Sequence, residues 1–442
     1  MKIAVAGTGY VGLVTGVAMA HMGHDVTCVD VDDKKIKMLN KGICPIYEED
    51  LEGEMYEYRD RLTYTTDYKS AYQDAEVIFI GVGTPEKSDG SANLDYVYAV
   101  CDNIASSITR DCVVVVKSTV PIGTNDKVEE YIRSNLVNDV NVYVASNPEF
   151  LAQGTAVHDT LYASRIVVGT EDKRAADIMK ELYLPFTQEP YNVPYLSVNR
   201  RSAEMIKYAS NDFLALKIAY ISEIANFCEE VGADIEEVTK GMGYDSRIGN
   251  KFLKAGIGYG GSCFPKDTKA LHWLSCELDG DELQTVKATI DINKNQKIRL
   301  FKKLMNDFKE IEGKRIAVLG LTFKPGTDDL REAPSIDNVN LLLEYNANVV
   351  VYDPVGVENF KKMYGDKVDY TSNIDDCIRD ADAVMIMTEW PEIINYNLGN
   401  YAELMNTAYV YDGRNCYDLI NVSKEKICYQ SIGRKKINNI SK

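Results

Sequence analysis

The sequence predicts an α/β protein, with two parallel-sheet domains joined by a central all-helical connector. Three observations predict it. Short, wholly apolar runs recur between helical stretches over residues 1–195 and again over 311–442. Strands buried on both faces read in this way, without alternation. A glycine-rich turn directly follows the first such run, and residues 196–310 lose the strand pattern and carry helical periodicity instead. The predicted domains are therefore 1–195, 196–310 and 311–442, sizes ordinary for single domains.

The first run, residues 2–6, leads into Gly7-Thr8-Gly9-Tyr10-Val11-Gly12, a helical stretch to about Met22, and a second run from Asp25 to Val31. Strand, glycine turn, helix and strand in that order are the context a dinucleotide-binding fingerprint requires, so the domain is Rossmann-like. Gly7 makes the tight turn, Gly9 lets a pyrophosphate come close, and Gly12 lets helix and strand pack. Asp30 stands 18 residues beyond Gly12, where a carboxylate takes ribose hydroxyls. It would repel a 2′-phosphate, so the expected cofactor is NAD rather than NADP. Further runs at 76–82, 112–117, 140–145 and 165–169 each read as parallel strands. Three of them end in polar tips carrying Thr84, Thr119 and Glu149. Ligands in open α/β sheets bind beyond such strand ends, although each tip taken singly also reads as an ordinary turn.

From about Leu196 the pattern turns helical, and Ala203 to Val231 is one long strand-free stretch. Lys207 and Asn211 are four residues apart on it and share a helix face. Then comes the sequence Gly256-Ile257-Gly258-Tyr259-Gly260-Gly261-Ser262-Cys263-Phe264-Pro265-Lys266-Asp267. Its glycines permit close approach of a ligand to backbone and free use of positive φ. Pro265 suits the first turn of a helix. A thiol at that helix mouth, near Lys266, is biased toward the nucleophilic thiolate. The plain alternative is a glycine turn with a buried, inert cysteine. A second helical block runs from Asp267 to about Phe308, broken at residues 278–281. Long paired helices of this kind predict a homodimer interface.

An α/β pattern restarts at 314–320, with further strands at 348–352, 383–387 and 409–411. Its first turn, Gly320-Leu321-Thr322-Phe323-Lys324-Pro325-Gly326, lacks the dinucleotide spacing. This half is therefore expected to hold a different nucleotide, with Lys324 available to a phosphate. The basic segment 434–442 reads as a solvated, frayed tail.

Composition narrows the function classes. A formal net charge of −18 argues against nucleic acid or an anionic membrane surface as partner. No apolar run approaches a membrane span, and the N-terminus enters the glycine turn at once rather than reading as a signal peptide. Ten cysteines at irregular spacing, without C-x-x-C, read as reduced thiols of a cytoplasmic protein. Four scattered histidines show no H-x-x-x-H pattern, so no metal site is expected.

Two Rossmann-like halves, a helical connector and the segment Gly-Gly-Ser-Cys-Phe-Pro-Lys-Asp together resemble the UDP-glucose/GDP-mannose dehydrogenase family over about residues 1–433. Tyr244-Asp245-Ser246-Arg247-Ile248-Gly249 and the run Phe252 to Cys263 are similar to the branch acting on UDP-glucose. The resemblance implies a four-electron oxidation of a sugar alcohol to a carboxylate by two NAD. Such a reaction needs an aldehyde held between two hydride transfers, and a thiolate can hold it as a thiohemiacetal and then a thioester. By resemblance Cys263 is the nucleophile, Lys207 and Asn211 stabilise the oxyanion, Asp267 with Thr119 holds a water, and Glu149 serves the hydrolytic step. Gln153 stands where the family commonly has Glu; an amide cannot act as base. The resemblance assigns the cofactor to Gly7, Gly9, Tyr10, Val11, Gly12, Asp30, Lys35, Thr84, Thr119, Gln153, Lys266 and Arg331. It assigns UDP-glucose to Glu149, Phe150, Leu151, Lys207, Asn211, Phe252, Leu253, Lys254, Ala255, Gly256, Gly260, Lys324 and Arg414, with Arg247 reaching across a dimer interface. Arg331 also reads as part of a solvated charge run, 328–332. The competing functions are the same chemistry on a UDP-N-acetylhexosamine or GDP-mannose, a two-electron dehydrogenase, and a nucleotide-sensing protein without catalysis.

Overall fold

Strand β1 (Lys2–Ala6) alternates its side chains between two cores: Ile3 and Val5 face one, Ala4 and Ala6 the other. Both faces are covered, so every residue between the ends can be apolar, and the period-two signal vanishes. The computed structural model describes residues 1–278 and 280–440, in two compact units divided between Ser210 and Asn211.

In the first unit β1 pairs with β2 (Asp25–Val29) on one side and β4 (Val77–Ile80) on the other, both parallel. The eight-stranded sheet has the order β3-β2-β1-β4-β5-β6-β7-β8, where β3 is Leu62–Thr65, β5 Cys112–Val116, β6 Val142–Ser146, β7 Ile166–Gly169 and β8 Tyr195–Val198. The order reverses at β1, which opens a crevice beyond the carboxyl ends of β1 and β4. Two expectations need correction, and one strand was not expected. β7 runs antiparallel to β6 at its single paired residue, Ser146 with Gly169. The segment at 195–198, expected to begin the helical region, is the edge strand β8, parallel to β7. Strand β3 carries too little apolar sequence to stand out, since only Leu62 of its four residues is buried.

The second unit repeats the plan. Its seven-stranded sheet has the order β11-β10-β9-β12-β13-β14-β15, with β9 at Arg315–Leu319, β10 at Asn348–Tyr352, β11 at Asp369–Tyr370, β12 at Ala383–Ile386, β13 at Tyr409–Asp412, β14 at Cys428–Gln430 and β15 at Ile437–Asn438. Again the first strand splits its side chains, Ile316 and Val318 against one core, Ala317 and Leu319 against the other. The fold is thus α/β, with two parallel-dominated sheets and a central helical region. That region contains the helices Arg200–Val231, Ile235–Gly243, Phe264–Glu277, Gln284–Lys297 and Arg299–Asp307.

The basic tail is not frayed through its described part. Arg434 is buried, its guanidinium donating to Ser431 Oγ, the Tyr417 carbonyl and Tyr429 Oη at 2.9–3.0 Å. Beyond it β15 pairs antiparallel with β14. Residues 441–442 lie outside the described residues.

Candidate active site

The first glycine turn has the geometry its spacing demands. Gly7 sits at φ +96°, and a Cβ there would stand 2.9 Å from the Gly81 carbonyl oxygen. A Cβ on Gly12 would lie 2.0 Å from the Gly7 carbonyl oxygen, so helix Tyr10–His21 can approach the strand only with glycine there. Around Gly9 the space is open, with no heavy atom within 4 Å of an added Cβ. Gly9 is also the N-cap, and no side chain caps the helix. Its first amides are thus unclaimed by a cap, which suits an anion. Asp30, directly after β2, accepts from the Thr8 amide and hydroxyl at 2.8 and 2.6 Å and from the Asp32 amide at 2.9 Å. Burial pushes its carboxyl up, but the Thr8 hydroxyl, the two amides and Lys35 outweigh that and hold it below the usual range. Asp30 is therefore an anion, fixed at the crevice by the same turn it flanks. These features fit an NAD-type dinucleotide: open backbone for the pyrophosphate and a carboxylate for ribose hydroxyls.

The strand tips meet as expected for one sheet end. The Thr84 hydroxyl donates to the Thr119 carbonyl at 2.8 Å. Beyond β6, Glu149 Oε1 accepts from Lys207 Nζ at 2.8 Å and Oε2 from the Leu151 amide at 2.8 Å. Two cations lie over the Phe150 ring, Arg165 at 3.8 Å and Lys207 at 5.5 Å from its centroid. The Glu149–Lys207 pair is buried on both sides, and a desolvated ammonium paired with one carboxylate is a site for holding and moving protons. Gln153 and Lys35 are both half-buried.

In the second unit Cys263 is exposed and is the N-cap of helix Phe264–Glu277, which removes the buried, inert reading of this thiol. One turn on, the Asp267 amide donates to the Cys263 carbonyl at 2.8 Å. Asp267 is 1% exposed; its two oxygens accept from Lys266 Nζ and Asn211 Nδ2, each at 2.6 Å. Asp212 beside them is also buried, and neither of its oxygens has a hydrogen-bond partner among the described residues. Burial, then the Asp267 carboxylate, pushes the Asp212 carboxyl up to about 7.

The glycines before Cys263 also let this segment pack closely on its own unit. They are pressed against protein. A Cβ on Gly258, at φ +83°, would meet Asn293 Oδ1 at 2.5 Å, and one on Gly260 the Glu332 carbonyl at 2.4 Å. Asn293 accepts from the Tyr259 amide at 2.8 Å and donates to its carbonyl at 3.1 Å, while Gln296 donates to the Gly256 carbonyl at 2.7 Å. Arg414 donates to the Gly258 carbonyl at 3.0 Å, which ties one substrate assignment to the segment between two others, Gly256 and Gly260. Lys254 Nζ and Arg414 Nε flank opposite oxygens of Glu389 at 3.6 and 3.5 Å. Leu253 and Ala255 are buried, whereas Phe252 is exposed and takes φ +63°.

Three family models cover the chain: the NAD binding domain of the UDP-glucose/GDP-mannose dehydrogenase family at residues 1–187, its central domain at 201–295 and its UDP binding domain at 317–419. The chain belongs to this family. It is an NAD-dependent dehydrogenase. Among its relatives, the UDP-glucose 6-dehydrogenase YwqF of Bacillus subtilis (strain 168) is 48% identical, with 99% of this chain and 98% of that one aligned. The UDP-glucose 6-dehydrogenase of Rhizobium meliloti (strain 1021) is 45% identical over 98% and 100%. Among solved structures, a UDP-glucose dehydrogenase from Pyrobaculum islandicum superposes with a TM-score of 0.91 at 35% identity, covering 98% of each chain. No helix among the described residues is long and apolar enough to cross a membrane.

Within this family member some assigned residues stand at the surface. Arg247 is 88% exposed and forks onto Asp245, with Nη2 2.6 Å from Oδ2. Arg331 likewise forks onto Asp329, while its carbonyl accepts from the Gly261 amide at 2.8 Å. Lys324 Nζ lies 5.7 Å from the Phe323 ring centroid, and that ring covers Gly261.

Sequence reasoning missed several groups. Lys117 at the end of β5 is buried and donates to Asn147 Oδ1 at 3.0 Å; burial, eased by Glu149, lowers its ammonium to about 8. A lysine closing an all-valine run was the available signal. Glu204 caps the helix Thr124–Ser134 from a distance, accepting from the Gly123 and Asn125 amides at 2.6 and 2.8 Å. Glu48 accepts from the Gly154 and Ala156 amides at 2.8 and 2.6 Å, which shapes the loop that carries Gln153. Neither glutamate, nor Asn293, has a local signature.

Proposed function

We propose that this chain oxidises UDP-glucose to UDP-glucuronate with two NAD. One observation carries the choice of sugar: full-length similarity, at 40–48% identity, to chains named UDP-glucose 6-dehydrogenase. The family's range is wider, since a UDP-D-ManNAc dehydrogenase from Pyrococcus horikoshii also superposes, with a TM-score of 0.86 at 26% identity, over 98% of this chain and 99% of that one.

NAD, when bound, accepts a hydride in each of two rounds. The chain supplies everything else. The C6 hydroxyl loses its proton to a base, a part Lys207 fills in the neutral form it takes after handing its own proton to Glu149. The resulting aldehyde is attacked by Cys263 Sγ, forming a C–S bond, and Lys207 and Asn211 stabilise the oxyanion where charge develops. Loss of the second hydride converts the thiohemiacetal to a thioester. Water, held by Asp267 and Thr119 with Glu149 nearby in role, cleaves the C–S bond and restores the thiol. Asn211 and Lys266 suit this scheme because both hold the Asp267 carboxylate in place. In the same reading the chain works as a homodimer, with the divisions 1–195, 196–310 and 311–442, and Arg247 reaches the partner's substrate.

The test is a panel of nucleotide sugars with NAD, with reduced cofactor counted against sugar consumed. UDP-glucose should turn over best and yield two NADH per sugar. A better rate with a UDP-N-acetylhexosamine or GDP-mannose would move the activity to that substrate. A ratio of one would remove the thioester. Cys263→Ala should retain UDP-glucose binding and lose turnover.

A further inference from the structure

The geometry points to a divalent-cation site of the zinc class, built by His272, Cys276 and Glu282. Their donor atoms all lie within 4.8 Å of one another, in the second unit and apart from Cys263 in sequence and role. His272 and Cys276 are four residues apart in helix Phe264–Glu277 and so share a face. Glu282 comes from the segment before helix Gln284–Lys297. The spacing H-x-x-x-C-x-x-x-x-x-E matches neither motif for which the sequence was read, and it becomes a cluster only when the chain turns back.

One nitrogen serves both neighbours. His272 Nε2 is 2.8 Å from Glu282 Oε1 and 3.8 Å from Cys276 Sγ. A proton there can satisfy one of them at a time, whereas a cation among the three atoms satisfies all. In tetrahedral zinc sites, with bonds of about 2.0–2.3 Å, neighbouring donors stand roughly 3.3–3.6 Å apart. The two separations at His272, 2.8 and 3.8 Å, stand within about half an ångström of that geometry.

The surroundings hold the ligands in place. Gln284 Nε2 donates to the other Glu282 oxygen at 3.2 Å. Ser275 Oγ accepts from the Leu283 amide at 3.3 Å and donates to the His272 carbonyl at 2.7 Å, pinning the glutamate's segment to the helix. Thiolate, imidazole and carboxylate together suit zinc or cobalt and not the hard ions magnesium and calcium. Three protein ligands leave a fourth position to solvent. A bound ion would staple the end of the helix that begins at Cys263 to the helix that holds Gly256 and Tyr259.

The test is a cobalt(II) titration of the full chain carrying Cys263→Ala, which removes the other exposed cysteine. One cobalt per chain should bind and produce thiolate-to-cobalt charge-transfer absorption, with zinc displacing it and magnesium leaving it unchanged. Adding Cys276→Ser should abolish the band, and adding His272→Ala or Glu282→Gln should weaken binding at least tenfold. Zinc should raise the melting temperature of the Cys263→Ala chain and not of the Cys276→Ser double variant. No charge-transfer band, or one that survives Cys276→Ser, would overturn the assignment. As Cys276 is exposed, its serine variant should fold, and a melting curve without metal verifies that.

Discussion

Lys207 Nζ lies 2.8 Å from Glu149 Oε1, with the two side chains only 4% and 6% exposed. Neither charge has water to fall back on. Removing one partner leaves the other buried and unpaired, at a cost of about 3–5 kcal/mol. Lys207→Ala should lower stability by that order as well as abolishing turnover. The double variant Lys207→Met, Glu149→Leu should recover most of the stability and none of the activity. Urea midpoints of the two proteins check this, and equal losses in both would refute the coupling.

Asp212 makes the opposite demand. Its folded carboxyl titrates at about 7, whereas an unfolded aspartate titrates near 3.9. Between those values the folded chain holds the extra proton, so stability falls as pH rises from about 4 to 7. Asp212→Asn mimics the protonated acid and should stabilise the chain above pH 7, by up to about 4 kcal/mol. Denaturation at pH 5 and pH 8 measures it; a variant equal to the parent at pH 8 excludes the buried acid.

For Lys117 the sign reverses again. Its folded ammonium titrates at about 8 against an ordinary 10.5. Between those values the unfolded chain holds more protons, so this group makes stability rise with pH across that window. Below about pH 8 the buried cation costs about 3 kcal/mol. Lys117→Met should therefore stabilise the chain at pH 7 and flatten the rise between pH 8 and 10. Tyr183 still donates to Asn147 Oδ1 in that variant, so the amide is not stranded.

Asp30→Asn removes a charge from the crevice. Losing hydrogen bonds to an ionised group costs about 1.5–3 kcal/mol, roughly 10- to 100-fold in affinity. NAD binding should weaken by that factor, and the preference for NAD over NADP should narrow. Calorimetric titration with both cofactors reads it, and unchanged NAD affinity would place the ribose elsewhere.

The legible parts of this protein share a property. The Gly7–Gly12 turn, Asp30 and the helix cap at Cys263 each depend on a few consecutive residues and on the element they join. The buried strands were readable because burial on two faces leaves an unbroken apolar run. Where that condition fails, reading fails too: β3 buries one residue of four and β8 none fully, and both escaped. The basic tail misled for a related reason, since Arg434 satisfies its charge on Tyr417, Tyr429 and Ser431 rather than in water.

By itself the sequence determined two parallel-sheet halves, a dinucleotide turn, and a cysteine at a helix mouth followed one turn later by an aspartate. Periodicity and short motifs encode those, because their partners are neighbours along the chain. Only the tertiary structure decided that Asn293 grips Tyr259, that Glu204 caps a helix 79 residues away, and that His272, Cys276 and Glu282 converge. Such pairs depend on where the chain returns after a long excursion, and no local spacing records that return.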